Sequence, residues 1–132
     1  MRFEPKEKLD VVLLDAPCSA TGTLRRHPEL VIHRREEDLS RLLTLQAQMI
    51  SRASQWVKPG GELLYAVCSL QREEGEEQIQ KFLSNYKSFS IQPAQVPYAP
   101  QCVDKDGCLR ILPTHFTGGA DGFFAARLRK AV

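Results

Sequence analysis

The chain has 132 residues, 42% of them hydrophobic and 26% charged, with a formal net charge of +2. That make-up is one globular domain's and excludes a disordered tail; no apolar run approaches the roughly 20 residues of a membrane helix, and no signal-peptide pattern opens the chain. Near-neutrality argues neither for nor against nucleic acid, and four irregularly spaced cysteines suit free thiols in a reducing compartment, so a cytoplasmic location with no membrane partner is expected.

In chain order, Met1 to Lys8 is polar, and Leu9 to Leu14 is a near-continuous aliphatic run, as expected of a strand covered on both faces in a parallel sheet. Residues 15–35 read as a long loop with a basic centre, Arg25-Arg-His-Pro-Glu29 followed by Arg34 and Arg35. Glu36-Glu-Asp38 places negative charge where the dipole of a helix favours it. Leu39, Leu42, Leu43, Gln46, Ile50, Ala53 and Val57 follow helical spacing, with Gln46 alone off the apolar pattern, and Lys58-Pro-Gly-Gly61 ends that helix. Glu62 to Cys68 gives a second buried strand, and a helix beginning near Gln71 carries Ile79, Phe82, Leu83 and Tyr86 inward. Phe89 to Ile91 suits a short strand, residues 93–108 a loop, and Leu109–Leu112 and Phe123–Leu128 a final strand pair. This order predicts an α/β sheet, parallel at first and antiparallel at its last edge.

A doubly wound cofactor domain starts with a strand, a glycine-rich turn and a helix. No stretch before Asp10 supplies that unit, and Gly60-Gly61 precedes a strand instead of following one, so the chain reads as the second half of such a sheet.

Two strands end in Cys-Ser: Asp15-Ala-Pro-Cys-Ser follows the first and Cys68-Ser69 the second. If the strands are parallel neighbours, Asp15, Cys18 and Cys68 reach the carboxyl edge of the sheet, where ligands of open α/β sheets bind. A cysteine nucleophile acts as its thiolate, and the following helix N-terminus favours that form at Cys68, while Cys18 lies in a loop beside a proline, so the pair need not share a role. A single strand-end cysteine is more often a small buried hydrophobe; the repetition argues against that here. Cys102, Cys108 and the scattered histidines lack the spacing of a zinc site, so no metal is expected. The basic loop follows Cys18 and suits phosphate contact, weighed against a solvated loop with locally paired charges. Trp56 and Phe123-Phe124 read as core.

Asp15-Ala-Pro-Cys-Ser-Ala-Thr-Gly22 and Tyr65-Ala-Val-Cys-Ser69 resemble the two cysteine motifs of the RNA cytosine-5 methyltransferases of the Nol1/Nop2/Sun family. Arg25-Arg-His-Pro-Glu29 resembles the bacterial Sun branch, the 16S ribosomal RNA methyltransferase B group; Leu109-Arg-Ile-Leu-Pro113 and Asp121-Gly-Phe-Phe-Ala-Ala-Arg-Leu128 are similar to the family's closing motifs. The resemblance runs from about Asp10 to Lys130. It departs at Ala20, where the family often has glycine, at Val67, commonly threonine, and at Gly75, often asparagine.

The resemblance implies the C-terminal half of a Rossmann-like catalytic domain across residues 1–132, without the N-terminal cofactor-binding half. It implies methyl transfer from S-adenosylmethionine to cytosine C5 in RNA, ribosomal or else transfer RNA, on a flipped or single-stranded base. Cys68 would be the nucleophile at C6, Cys18 would assist release, either as the base removing the C5 proton or by helping to eliminate Cys68, and Asp15 would contact the cytosine edge or the cofactor. Arg25, Arg26, His27, Arg34 and Arg35 would meet RNA. A non-catalytic RNA-binding or assembly module with structural thiols is the competing expectation. A bare edge at the Leu9 strand predicts self-association through it, or a rearranged N-terminal segment that covers it.

Overall fold

The computed structural model describes residues 4–33 and 36–132. In chain order it contains β1 (Leu9–Asp15), α1 (Leu30–His33), α2 (Glu36–Trp56), β2 (Val57–Val67), α3 (Glu76–Asn85), β3 (Phe89–Ile91), β4 (Leu109–Ile111) and β5 (Phe123–Lys130). β1 pairs in parallel with β2, as two strands joined by a crossover helix should. β5 then lies antiparallel to β2 and carries β3 and β4 on its other edge, each over a different part of its length. The final strand pair was expected; the insertion of β5 directly beside β2 was not.

One face of this sheet carries the core. Val12 and Leu14 of β1 continue across Leu63, Tyr65 and Val67 of β2 to Leu128, Ala126 and Phe124 of β5. Ile50, Ala53 and Trp56 of α2, with Ile79 and Phe82 of α3, close over that face. Trp56 and Phe124 are therefore core, as expected, whereas Phe123, also expected there, is only partly buried. Full burial of each large side chain contributes about 1.5–3 kcal/mol, so the row Leu63, Tyr65, Phe124 and Leu128 anchors the sheet to its helices.

The opposite face corrects the reading of the first strand. Val11 is 57% exposed and Leu13 68%, because among the described residues no helix covers that side. The apolar run resembles a strand buried twice, but only Val12 and Leu14 are buried here. A second correction concerns the helix stop. α2 ends at Trp56, and Val57 already belongs to β2, so Lys58-Pro-Gly-Gly61 sits inside the strand as an irregularity. Leu9 faces Val57 while Val11 faces Glu62, which loops three extra β2 residues out of register. Pro59 has no N–H for the ladder and Gly60 takes φ +76°, so both suit the interruption.

α3 begins at Glu76, five residues later than expected. Residues 71–75 form turns, with Glu74 N–H bonded to Gln71 O and Gly75 N–H to Arg72 O. The helix dipole therefore starts farther from Cys68 than the sequence suggests. No helix of the described residues is long and apolar enough to cross a membrane.

Candidate active site

Parallel pairing brings the ends of β1 and β2 side by side, and the loops that follow them are stitched together. Ala16 N–H donates to Ala66 O at 2.9 Å and Gly22 N–H to Cys68 O at 3.0 Å; Gly122 N–H, just before β5, donates to Gly22 O at 2.7 Å. The last contact needs two glycines: a Cβ on Gly22 would sit 2.0 Å from Gly122 O. Three segments distant in sequence thus converge on one mouth at the carboxyl ends of β1 and β2.

Within it, Cys18 Sγ and Cys68 Sγ lie 3.6 Å apart, both half-buried. Burial pushes the Cys18 thiol from its ordinary 9.0 up to about 12; a hydrogen bond from the Ala20 backbone opposes the rise, and the adjoining Cys68 sulfur and the Glu74 carboxylate add to it. Cys18 is consequently a protonated thiol at neutral pH. Cys108 differs: burial pushes it up to about 12 as well, but it is 3% exposed and belongs to the core. Cys102 is buried, with its sulfur 3.4 Å from His115 Nδ1.

Glu74 organises this mouth. It is fully buried, and each carboxylate oxygen accepts two hydrogen bonds. Oε1 takes the Ser19 backbone N–H at 2.8 Å and Gln46 Nε2 at 3.0 Å; Oε2 takes the Ser19 hydroxyl at 2.6 Å and the Ser69 hydroxyl. Gln46 also donates to Pro17 O at 2.9 Å, and Gln78 donates to Gln46 Oε1 at 3.3 Å. The residues before and after Cys18 and the residue after Cys68 are tied to one buried network. Gln46, the polar break in the α2 stripe, is buried because it joins this network.

Arg110 holds the Cys68 loop from the other side. Its Nη1 donates to Ser69 O at 2.6 Å, its other nitrogens grip Glu76 at 3.1 and 2.6 Å, and its guanidinium lies 4.8 Å from the centre of the Phe124 ring. Gly75 makes room for it: a Cβ there would meet Arg110 Nη2 at 2.6 Å and Phe124 at 2.9 Å. That explains a departure from the family pattern. Val67 explains a second, since its side chain is fully buried in the core, where a hydroxyl would need a partner.

The other expected residues are spread around the mouth. Asp15 ends β1, exposed, opposite Ala66 and on the uncovered face, and no described hydrogen bond links it to either thiol. Arg25, Arg26 and His27 are exposed. Arg25 and Arg26 both approach Asp121, at 3.8 and 2.6 Å, and His27 Nδ1 lies 3.2 Å from Glu29. The two arginine charges are therefore locally paired. Arg34 and Arg35 lie outside the described residues. Glu74, Gln46 and Arg110 were missed as site residues; the polar Gln46 in an apolar stripe was the available signal. A 220 Å³ cavity between α3 and β3, lined in part by Glu76, Asp104 and Asp106, includes no residue of the cysteine loops. Two of its carboxylates serve the fold, Glu76 holding Arg110 and Asp104 the amides of Asp106 and Cys108.

A family model described as 16S rRNA methyltransferase RsmB/F matches residues 2–129. The ribosomal RNA small subunit methyltransferase B of Pasteurella multocida is 42% identical over 129 residues, 98% of this chain and 28% of that protein. The protein of the same description from Thermus thermophilus is 42% identical over 124 residues, 94% of this chain and 30% of its own length. Among solved structures, a methyltransferase homolog from Pyrococcus horikoshii superposes with a TM-score of 0.72 at 32% identity, over 94% of this chain and 40% of that one. NSun6 from Pyrococcus horikoshii, solved with SFG, superposes with a TM-score of 0.78 at 28% identity, over 96% of this chain and 31% of that one. The chain thus spans less than a third of the curated relatives described here. Matched along nearly its whole length in sequence and in fold, it belongs to the RsmB/F family of 16S rRNA methyltransferases.

Proposed function

We propose that this segment carries the thiol chemistry of an S-adenosylmethionine-dependent methyltransferase acting on C5 of a cytosine in ribosomal RNA. The observation that carries the reading is the 3.6 Å approach of the Cys18 and Cys68 sulfurs at the carboxyl ends of two parallel strands. Cytosine C5 is a weak nucleophile. Addition of the Cys68 thiolate to C6 places the ring's electrons on C5, which then accepts a methyl group. S-adenosylmethionine, when bound, supplies that group as an electrophilic methyl.

The steps that follow belong to this chain. The C5 proton must leave and the Cys68–C6 bond must break to restore the aromatic ring. Cys18 is placed beside the sulfur that departs. Its raised pKa keeps it protonated beforehand, suited to delivering a proton to the Cys68 sulfur as the bond breaks, and the Cys18 thiolate so formed takes up the C5 proton. The half-buried setting of both thiols requires a base turned out of its stack.

Cofactor contact from these residues is limited. Asp15, exposed at the carboxyl end of β1, suits the amino-acid end of S-adenosylmethionine or the cytosine edge. Among the described residues no glycine-rich turn leads from a strand into a helix, so the remaining contacts are assigned to other parts of the protein. The relative solved with SFG, an S-adenosylmethionine analogue, supports this cofactor class. Arg25, Arg26 and His27, with Arg34 and Arg35, are the proposed phosphate contacts, with Asp121 tempering two of them. The test is methyl incorporation into 16S rRNA by the full-length protein. Cys68→Ala is expected to abolish it with the fold retained, and methylation by that variant at the parent rate would refute the assignment.

A further inference from the structure

Glu74 is an unusual residue to bury. It is a fully enclosed carboxylate with no cation among its described hydrogen-bond partners; the four described are neutral donors, from Ser19 twice, Ser69 and Gln46. Such burial is unfavourable unless every lone pair is used, and here four donors meet two oxygens. Its partners are also selective. Ser19 follows Cys18, Ser69 follows Cys68, and Gln46 reaches the carbonyl of Pro17, which precedes Cys18. The two serine hydroxyls lie 3.2 Å apart across the same oxygen, and Thr21 Oγ1 is 3.2 Å from Ser69 while accepting the Leu70 N–H at 2.9 Å.

We propose that Glu74 is the positioning residue of the thiol pair: by holding Ser19 and Ser69 on one carboxylate, it fixes the separation and mutual orientation of Cys18 and Cys68. The proposal rests on the methyl-transfer reading for its consequence in catalysis, but not for its geometry. Each cysteine is one bond from a residue whose side chain ends on Glu74, so motion of either loop would break a hydrogen bond at a buried anion. Glu74 touches no thiol in the described contacts and acts through the serines. Its charge also disfavours the Cys18 thiolate, which keeps that thiol protonated beside Cys68.

The experiment is bridging of the two thiols by dibromobimane, in which each sulfur displaces one bromide, with the bridged peptides identified by mass. Monobromobimane labelling of each cysteine serves as the reference for exposure. The parent protein is expected to give the Cys18–Cys68 bridge. In Glu74→Gln the ratio of bridging to single labelling should fall about tenfold, the size of a misplacement below one ångström, while thermal unfolding remains cooperative. In the full-length enzyme the same variant should lose kcat by about tenfold at an RNA KM within about twofold of the parent. Ser19→Ala and Ser69→Ala, each deleting one hydroxyl, should lower the bridging ratio too, and they decide the question if Glu74→Gln does not fold. A parent that forms no bridge, or variants that fold and keep the parent ratio within about threefold, would overturn the proposal. Bridging does not depend on methyl transfer. Failure of the enzymatic reading would appear as no methylation by the parent, and failure of the clamp as an unchanged ratio.

Discussion

Ala20 carries the local strain of the Cys18 loop. At φ 59°, ψ 23° it occupies the left-handed region, alone among the non-glycine residues described. The conformation is imposed from both sides: Ser19 is held by Glu74, and Ala20 O accepts from Thr23 N–H at 2.9 Å and from the Thr23 hydroxyl at 2.8 Å. An alanine there costs roughly 1–2 kcal/mol, against about 0.4–1 kcal/mol that glycine forfeits in the unfolded chain. Ala20→Gly is therefore expected to raise stability by about 0.5 kcal/mol, read as a rise of a few degrees in a thermal melt. A lower melting temperature would show that Ala20 is not strained. At this scale the sequence singled out the two cysteines that meet at the mouth, because each follows an apolar run with the same Cys-Ser pair. It did not yield Glu74, since Glu73-Glu-Gly-Glu-Glu77 reads as a solvated helix start. Only the 55-residue separation bridged by the Ser19–Glu74 bond singles out the second glutamate.

At the scale of elements, apolar periodicity located all five strands and the two long helices, while their boundaries moved for identifiable reasons. β2 begins at Val57 because Pro59 and Gly60 can be accommodated by looping residues out of register. α3 starts late because Ser69 Oγ accepts the Gln71 N–H at 3.0 Å and turns the chain before helix can form. Whether both faces of β1 are covered was not legible, since a continuous aliphatic run satisfies either outcome. With Val11 and Leu13 exposed on an edge strand, the 132-residue chain is expected to associate with itself through β1. Light scattering should report a mass that rises with concentration, and Leu13→Lys should restore the monomer. A parent chain monomeric at every concentration would contradict this.

At the scale of the whole molecule, one helical layer over one sheet face leaves the chemistry at an edge where three segments meet. The sheet supplies register and the buried polar network supplies position. The opposite face, with Asp15 at its rim, is uncovered among the described residues. Fold class and family follow from motifs spread over the chain. The proposed division of labour between the thiols draws on their 3.6 Å separation and on the burial that keeps Cys18 protonated. The most direct test is therefore the fate of the covalent intermediate in the full-length protein. Cys18→Ala, incubated with S-adenosylmethionine and 16S rRNA, should accumulate an RNA–protein adduct that survives denaturing electrophoresis, and the adduct should map to Cys68. No adduct from a folded Cys18→Ala variant, or an adduct that persists when Cys68 is also replaced, would contradict the account.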